Sequence, residues 1–181
     1  MGWNPNIETV DGEVHRHFLS LTYTYARQNS ADPDTHVGAT IVEKNPEFPL
    51  DQRVLLQGAN RFPLGLYPTP EQLGDRVWIE ENIIHAERDA IYLAARYKVG
   101  TDGKIMYMPW VPCTQCALAI IDSGIERLVM HKSLVMKTPE KWRKSTSNAL
   151  ELLKLCGVET LAYDGAIGGI LHRFYGREWE P

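Results

Sequence analysis

A regular alternation of short apolar strands and amphipathic helices between residues 37 and 163 limits the fold of this chain more than any other feature. Five segments have the composition of strands: 37–42, 53–57, 104–108, 127–130 and 158–163. Four segments have helical periodicity or composition: 12–28, 85–97, 113–122 and 139–156. Strands that alternate with helices favour a sheet with helices on both of its faces. The sequence therefore predicts an α/β fold, a three-layer α/β/α sandwich with a mixed sheet of about five strands.

The length of 181 residues predicts a single domain over residues 1–181. The stretch from Arg61 to Gly74 contains several Pro and Gly residues and is too long for a plain connector, so we expect it to carry function or to lie across a site. Residues 164–181 fit neither periodicity and have no assigned place in this scheme. In the helix predicted at 139–156, we expect Cys156 to point inward.

Composition restricts the partners that the chain can bind. Nineteen Lys and Arg residues against 23 Asp and Glu residues give a net charge of −4, which is poorly suited to a phosphate backbone. A polynucleotide partner is therefore disfavoured, whereas a few local donors suffice to bind a small-molecule nucleotide. The sequence contains no run of 18 apolar residues, and we expect residues 1–5 not to belong to a signal peptide. We therefore expect no membrane partner and a cytoplasmic location.

Two short motifs carry metal-binding chemistry. The first is the tripeptide 85–87, His-Ala-Glu, and the second is the pentapeptide 112–116, Pro-Cys-Thr-Gln-Cys, each at the predicted start of a helix. One imidazole and two thiolates suit tetrahedral zinc and leave the fourth position for water, as in catalytic sites. The spacing of the two cysteines places them on one helix face, where the positive helix end also favours thiolates. The sequence therefore predicts zinc bound by His85, Cys113 and Cys116.

Glu87 follows the predicted ligand His85 by two residues. A carboxylate at this place lies near the metal without binding it, and can take a proton from water and deliver it to a leaving amine. The two motifs in this order match the H-x-E…P-C-x-x-C signature of zinc nucleobase deaminases. Glu87 is therefore the candidate catalytic residue.

Three other interpretations of the motifs fit less well. A thioredoxin-like C-x-x-C redox pair leaves His85 and Glu87 without a role. A structural zinc needs a fourth protein ligand, and Cys156 is the only other cysteine. A catalytically silent zinc scaffold has no need of Glu87.

From about Phe18 to Tyr163, the sequence resembles the cytidine and deoxycytidylate deaminase superfamily, and within it most closely the deoxycytidylate (dCMP) deaminases. Besides the metal motifs, the likeness is carried by four segments: 32–39, 58–65, 117–124 and 149–158. The resemblance implies the deaminase α/β sandwich and the conversion of dCMP to dUMP with release of ammonia. It also implies a homo-oligomer.

The resemblance also implies roles for individual residues. His85, Cys113 and Cys116 match the zinc ligands, and Glu87 matches the proton shuttle. Asn60 matches an asparagine that hydrogen-bonds the substrate, and the backbone at Ala86 would meet the edge of the pyrimidine.

Residues 58–65 depart from the family pattern. The family commonly has G-Y-N-G-x-P-x-G, whereas Ala59 and Arg61 replace the tyrosine and the second glycine here. Because a guanidinium suits a phosphate, one hypothesis is that Arg61 binds the 5′-phosphate of the substrate, and the alternative is a surface arginine. A free (deoxy)cytidine or another amino-heterocycle remains an alternative substrate.

Overall fold

The computed structural model describes Trp3 and residues 5–181. Its strands are β1 Glu8–Val10, β2 Gly38–Val42, β3 Val54–Ala59, β4 Ile105–Tyr107, β5 Arg127–His131, β6 Glu159–Tyr163, β7 His172–Phe174 and β8 Arg177–Trp179. Its helices are α1 Glu13–Asn29, α2 Pro70–Gly74, α3 Arg76–Asn82, α4 Ala86–Tyr97, α5 Thr114–Asp122, α6 Lys132–Val135 and α7 Glu140–Leu155. Among the described residues, every helix is too short or too polar to cross a membrane.

Six strands form the main sheet, in the order β1-β6-β5-β4-β2-β3. Strands β1, β6, β5 and β4 pair in parallel, whereas β2 is antiparallel to both β4 and β3. The predicted α/β class with a mixed sheet is confirmed, but the strand count is six rather than about five. The additional strand is β1, whose three residues are too few to show a clear alternation of apolar and polar side chains.

Alternate side chains of the central strands build two cores on opposite faces of the sheet. Met106, Leu128 and Met130 belong to the core that includes residues of α4, α5 and α7. Tyr107 and Val129 belong to the core that includes residues of α1. Because successive side chains of a strand point to opposite faces, this division shows helices on both sides of the sheet. The predicted three-layer sandwich is confirmed.

The topology brings several chain ends together at one end of the sheet. Thr40 of β2 pairs with Tyr107 of β4, and Gly38 at the start of β2 pairs with Ala59 at the end of β3. Strands β3 and β4 therefore end where β2 begins. The segments that leave these strands reach the same place, and the candidate site lies there.

Gly58 in β3 allows helix α4 to approach the sheet closely. A Cβ atom at Gly58 would lie 2.5 Å from the carbonyl oxygen of Ala86 and 2.5 Å from the backbone nitrogen of Ala90. Both atoms belong to the backbone and cannot move aside without a shift of the helix. Glycine at this position therefore determines where the first turn of α4 lies.

We predict that Gly58→Ala lowers the free energy of unfolding by about 1–3 kcal/mol, because the added methyl group overpacks a backbone contact. The same shift of α4 should lower zinc content. Gly100→Ala is the matched control, since a Cβ atom there meets nothing within 4 Å. Urea unfolding and metal analysis of both variants would contradict this account if the two variants behaved alike.

Residues 164–181, unplaced from the sequence, end in a β-hairpin of β7 and β8. Its two-residue turn consists of Tyr175 and Gly176, with φ angles of 51° and 71°. Two positive φ angles are typical of a type I′ turn, which fits the right-handed twist of a hairpin. The hairpin is tied to the loop before β2, because the backbone N–H of His36 donates to Arg173 and that of Gly176 donates to Asp34. The C-terminal segment is therefore part of the packed structure around the site.

His172 anchors this hairpin on the core. Its side chain is fully buried, and its ring lies 4.7 Å from the ring of Tyr23 in an edge-on contact. Burial lowers the pKa of His172 from 6.5 to about 3, and the positive charges of His36, His131 and Arg27 act in the same direction. The folded protein therefore excludes a proton that the unfolded chain binds near pH 5.

We predict that the free energy of unfolding of the wild type falls by about 2 kcal/mol more between pH 7 and pH 5 than that of His172→Phe. The sign follows from the lowered pKa, since the contribution is present above pH 6.5 and is lost as the pH falls towards 3. Urea titrations at several pH values measure this difference. Parallel curves for the two proteins would contradict the prediction.

Cys156 does not point inward as expected. It is the residue that follows α7, its conformation is no longer helical, and its side chain is exposed. The helical periodicity that predicts an inward position ends one residue earlier, at Leu155.

Candidate metal centre and active site

The N-termini of two helices bring together one imidazole and two thiols. His85 is the residue before α4, Cys113 is the residue before α5, and Cys116 lies in the first turn of α5. The Sγ atoms of Cys113 and Cys116 lie 3.6 and 3.5 Å from Nδ1 of His85. The three ligand atoms all lie within 4.8 Å of one another. The two sequence motifs, with 27 residues between His85 and Cys113, thus form one compact cluster.

The electrostatic environment favours a thiolate at Cys113, whereas the hydrogen bond with Cys113 and burial raise the pKa of Cys116. The hydrogen bond with Cys116, supported by His85, lowers the pKa of Cys113 to about 4. The N-terminal end of α5 adds a positive potential. Burial lowers the pKa of the Arg88 guanidinium, but the nearby sulfur atoms of Cys116 and Cys113 outweigh this effect and raise it. A thiolate therefore forms readily here, as a metal ligand requires.

The donor set fits zinc. Two sulfur atoms and one imidazole nitrogen are ligands that zinc prefers, and three protein ligands with a further position for water are typical of catalytic sites. Cys156, the remaining cysteine, is exposed at the end of α7.

Glu87 faces the same pocket as the cluster. It lies in the first turn of α4, is 3% exposed and lines the pocket together with His85 and Cys113. Burial raises the pKa of Glu87, while the charge of His85 acts in the opposite direction. A carboxylate with a raised pKa beside a metal cluster is suited to accept a proton and release it again.

Asn60 orients the start of α4. Its side-chain oxygen accepts a hydrogen bond of 3.2 Å from the backbone N–H of Ala86, and its Nδ2 donates to the carbonyl oxygen of Thr35. Asn60 is 5% exposed and lines the pocket. The structure therefore places Asn60 in one pocket with His85 and Glu87, as the sequence expects. Asn60 also fixes the backbone of the buried residue Ala86.

Comparison with protein families shows which family the chain belongs to. Residues 12–132 match the family described as the cytidine and deoxycytidylate deaminase zinc-binding region. The chain belongs to this family. The matched range contains both metal motifs and Glu87, so the resemblance expected from the sequence is confirmed and zinc is the cofactor of the matched region.

The curated relatives that the chain resembles include deoxycytidylate deaminases. The chain is 48% identical to the deoxycytidylate deaminase of Enterobacteria phage T2 over 52 residues, which are 29% of this chain and 28% of the phage protein. It is 30% identical to the deoxycytidylate deaminase of Mus musculus over 153 residues, which cover 81% of this chain and 77% of the mouse protein. The match thus spans about a quarter of the phage relative and most of the mouse relative.

A solved structure of a deaminase has the same fold. The dCMP deaminase from the cyanophage S-TIM5, in complex with dCMP and dUMP, superposes with a TM-score of 0.63 at 17% identity. The match covers 86% of this chain and 99% of the phage chain. At this identity, the likeness supports the fold.

Arg61 lies away from the metal-bearing pocket of this deaminase. It lines two neighbouring surface grooves, and its Nε forms an ion pair with Asp89, whose side chain is 5% exposed. Asp89 also accepts the backbone N–H of Ala59 at the end of β3. In the structure Arg61 therefore neutralises a buried carboxylate, a role that differs from both interpretations given above, a phosphate ligand and a surface arginine.

We predict that Arg61→Ala lowers the free energy of unfolding by about 1–3 kcal/mol, because it leaves the buried carboxylate of Asp89 without its charged partner. The KM for dCMP should stay within about twofold of the wild type, a shift worth less than half a kcal/mol. Unfolding curves and steady-state kinetics measure the two effects. A large rise in KM with unchanged stability would restore the phosphate-binding hypothesis.

Several residues of the pocket are not identified by the sequence motifs. Three form a charged network beside the metal cluster and three form an aromatic wall: Asp32, Arg76 and Glu80, and Trp110, Trp142 and Tyr175. Arg76 and Glu80 precede His85 in a helix that the alternation pattern does not show. Tyr175 lies in the unplaced C-terminal segment, where the dipeptide Tyr-Gly between two alternating runs was the available signal for a hairpin turn.

Proposed function

We propose that this protein is an enzyme that hydrolyses the C4 amino group of a cytosine nucleotide, converting dCMP to dUMP. Water adds its oxygen to C4, the bond between C4 and the amino nitrogen breaks, and the nitrogen leaves as ammonia. The observation that carries the proposal is the buried carboxylate of Glu87 in one pocket with His85 and Cys113, whose ligand atoms cluster with the buried Sγ of Cys116. Two curated relatives named deoxycytidylate deaminase support the choice of substrate.

Zinc held by His85, Cys113 and Cys116 would supply a Lewis acid that makes water nucleophilic near neutral pH. Glu87 would take a proton from the attacking water and pass it to the ring nitrogen N3. It would then take the second proton from the new hydroxyl group at C4 and deliver it to the amino group, so that ammonia rather than an amide anion leaves and a carbonyl forms at C4. The burial that raises the pKa of Glu87 suits a group that must both accept and release a proton.

Asn60 has a positioning role in this proposal. Its oxygen holds the backbone N–H of Ala86 and one hydrogen of its amide is bonded to Thr35, which leaves the second amide hydrogen for a substrate oxygen. The backbone of the buried residue Ala86, between His85 and Glu87, is fixed by this contact. The homo-oligomer and the cytoplasmic location remain predictions.

We predict that Glu87→Gln retains zinc and lowers kcat for dCMP by at least about 100-fold, because it removes the group that transfers protons. The amide has nearly the shape of the carboxylate, so folding and metal content should change little. Metal analysis, thermal unfolding and ammonia release from dCMP measure these quantities together.

Glu81→Gln is the matched control, since Glu81 is exposed on the neighbouring helix α3 and should leave activity unchanged. Near-normal turnover by the zinc-loaded Glu87→Gln protein would contradict the proposed role. Wild-type protein with full zinc content that releases no ammonia from dCMP or deoxycytidine would overturn the proposed function.

A further inference from the structure

The pocket has a second half that the family match does not contain. The matched range ends at residue 132, whereas Trp142 and Thr146 come from α7 and Tyr175 comes from the C-terminal hairpin. The family residues Asn60, His85, Glu87 and Cys113 line the other half. The candidate metal ligands and Glu87 lie in the matched range, and residues outside that range complete the pocket.

Two cations lie beside this second half and are held in place by carboxylates. Arg76 donates from Nη1 to both carboxylate oxygens of Asp32, at 2.7 and 2.9 Å, and from Nε to Glu80 at 2.9 Å. Lys141 of α7 donates to the same oxygen of Glu80 at 2.6 Å. These bonds leave the Nη2 hydrogens of Arg76 and two of the three Nζ hydrogens of Lys141 without a hydrogen-bond partner among the described residues. Both cations therefore present unused donors.

The aromatic ring of Tyr175 lies close to both cations. The centre of the Arg76 guanidinium lies 5.9 Å from the centroid of the Tyr175 ring, and Nζ of Lys141 lies 5.4 Å from it. The indole Nε1 of Trp142 donates to the Tyr175 hydroxyl oxygen. Since an indole N–H only donates, the tyrosine oxygen is the acceptor in this bond and its own hydrogen is free to point elsewhere. Burial raises the pKa of Tyr175 to about 12, so that hydrogen is present at neutral pH.

Hydrogen bonds fix both the backbone and the side chain of Tyr175. Its φ angle of 51° lies in the left-handed region, which glycine, asparagine and aspartate adopt more readily than tyrosine in such turns. Here the backbone N–H of Tyr175 donates to Thr35 Oγ1, and the hydroxyl is fixed by Trp142.

We propose that Arg76, Lys141 and Tyr175 form the subsite that binds the phosphate monoester of the substrate and makes the enzyme prefer a nucleotide to a nucleoside. This inference rests on the proposed function and specifies its substrate class. Two cations and a neutral hydroxyl offer unused hydrogens at one place, and a phosphate monoester is an anion with three oxygen acceptors. The carboxylates of Asp32 and Glu80 would orient the two cations while the remaining hydrogens bind the phosphate.

The test compares kcat/KM for dCMP and for deoxycytidine, measured by ammonia release from zinc-loaded protein. We expect the wild type to prefer dCMP. In Tyr175→Phe and in Lys141→Gln, we expect the ratio of kcat/KM for dCMP to that for deoxycytidine to fall at least about tenfold, mainly through the KM for dCMP. These two variants keep the buried contact between Arg76 and Asp32, so they avoid the main risk to folding.

Two matched controls remove the same groups elsewhere. Tyr97→Phe changes an exposed tyrosine, and Lys132→Gln breaks a surface ion pair with Asp164. Both controls should retain the wild-type ratio. A general loss of structure in a test variant would lower kcat/KM for both substrates and leave the ratio unchanged, which would overturn the proposal for that residue.

The outcomes separate this inference from the proposed function. Deamination of dCMP and deoxycytidine with equal kcat/KM by the wild type would overturn the phosphate subsite and leave the deaminase chemistry standing. A wild-type preference for dCMP that neither variant reduces would do the same. Failure of zinc-loaded wild type on both substrates would overturn the proposed function, and the inference with it.

Discussion

The close contact between β3 and the first turn of α4 is the constraint on which the site depends. Gly58 lets the helix backbone touch the strand, and Asn60, two residues later, fixes the N–H of Ala86. These contacts fix the start of α4 against the sheet. His85 and Glu87, at this end of α4, therefore lie near the start of α5. Both helix N-termini carry a partial positive charge, which adds to the contacts that lower the pKa of Cys113 and favour its thiolate.

The residues that line the pocket come from two parts of the chain, one inside and one outside the range that matches the family. The segment that matches the deaminase family contains the candidate metal ligands and Glu87. Helix α7 and the C-terminal hairpin supply Trp142 and Tyr175, which lie on the other side of the pocket. Residues outside the matched range therefore complete the pocket.

The sequence predicts the parts of this site that lie close together in the chain. His85 and Glu87, and likewise Cys113 and Cys116, fall within single helical turns, so local spacing suffices to place them. Other contacts join distant residues, such as Asp32 with Arg76 and Trp142 with Tyr175, and depend on how β2, α3, α7 and the hairpin pack. Arg61 shows the limit of local reasoning, because its neighbour Asn60 enters the pocket while its own side chain pairs with Asp89.

The most direct test of the account is to incubate the zinc-loaded protein with dCMP in water enriched in oxygen-18, and to measure the mass of the product. Hydrolytic deamination predicts dUMP that carries one labelled oxygen at C4, formed in equal amount to the ammonia released. Unlabelled dUMP, or ammonia without a matching quantity of labelled product, would contradict the central claim that this pocket adds water to the cytosine ring.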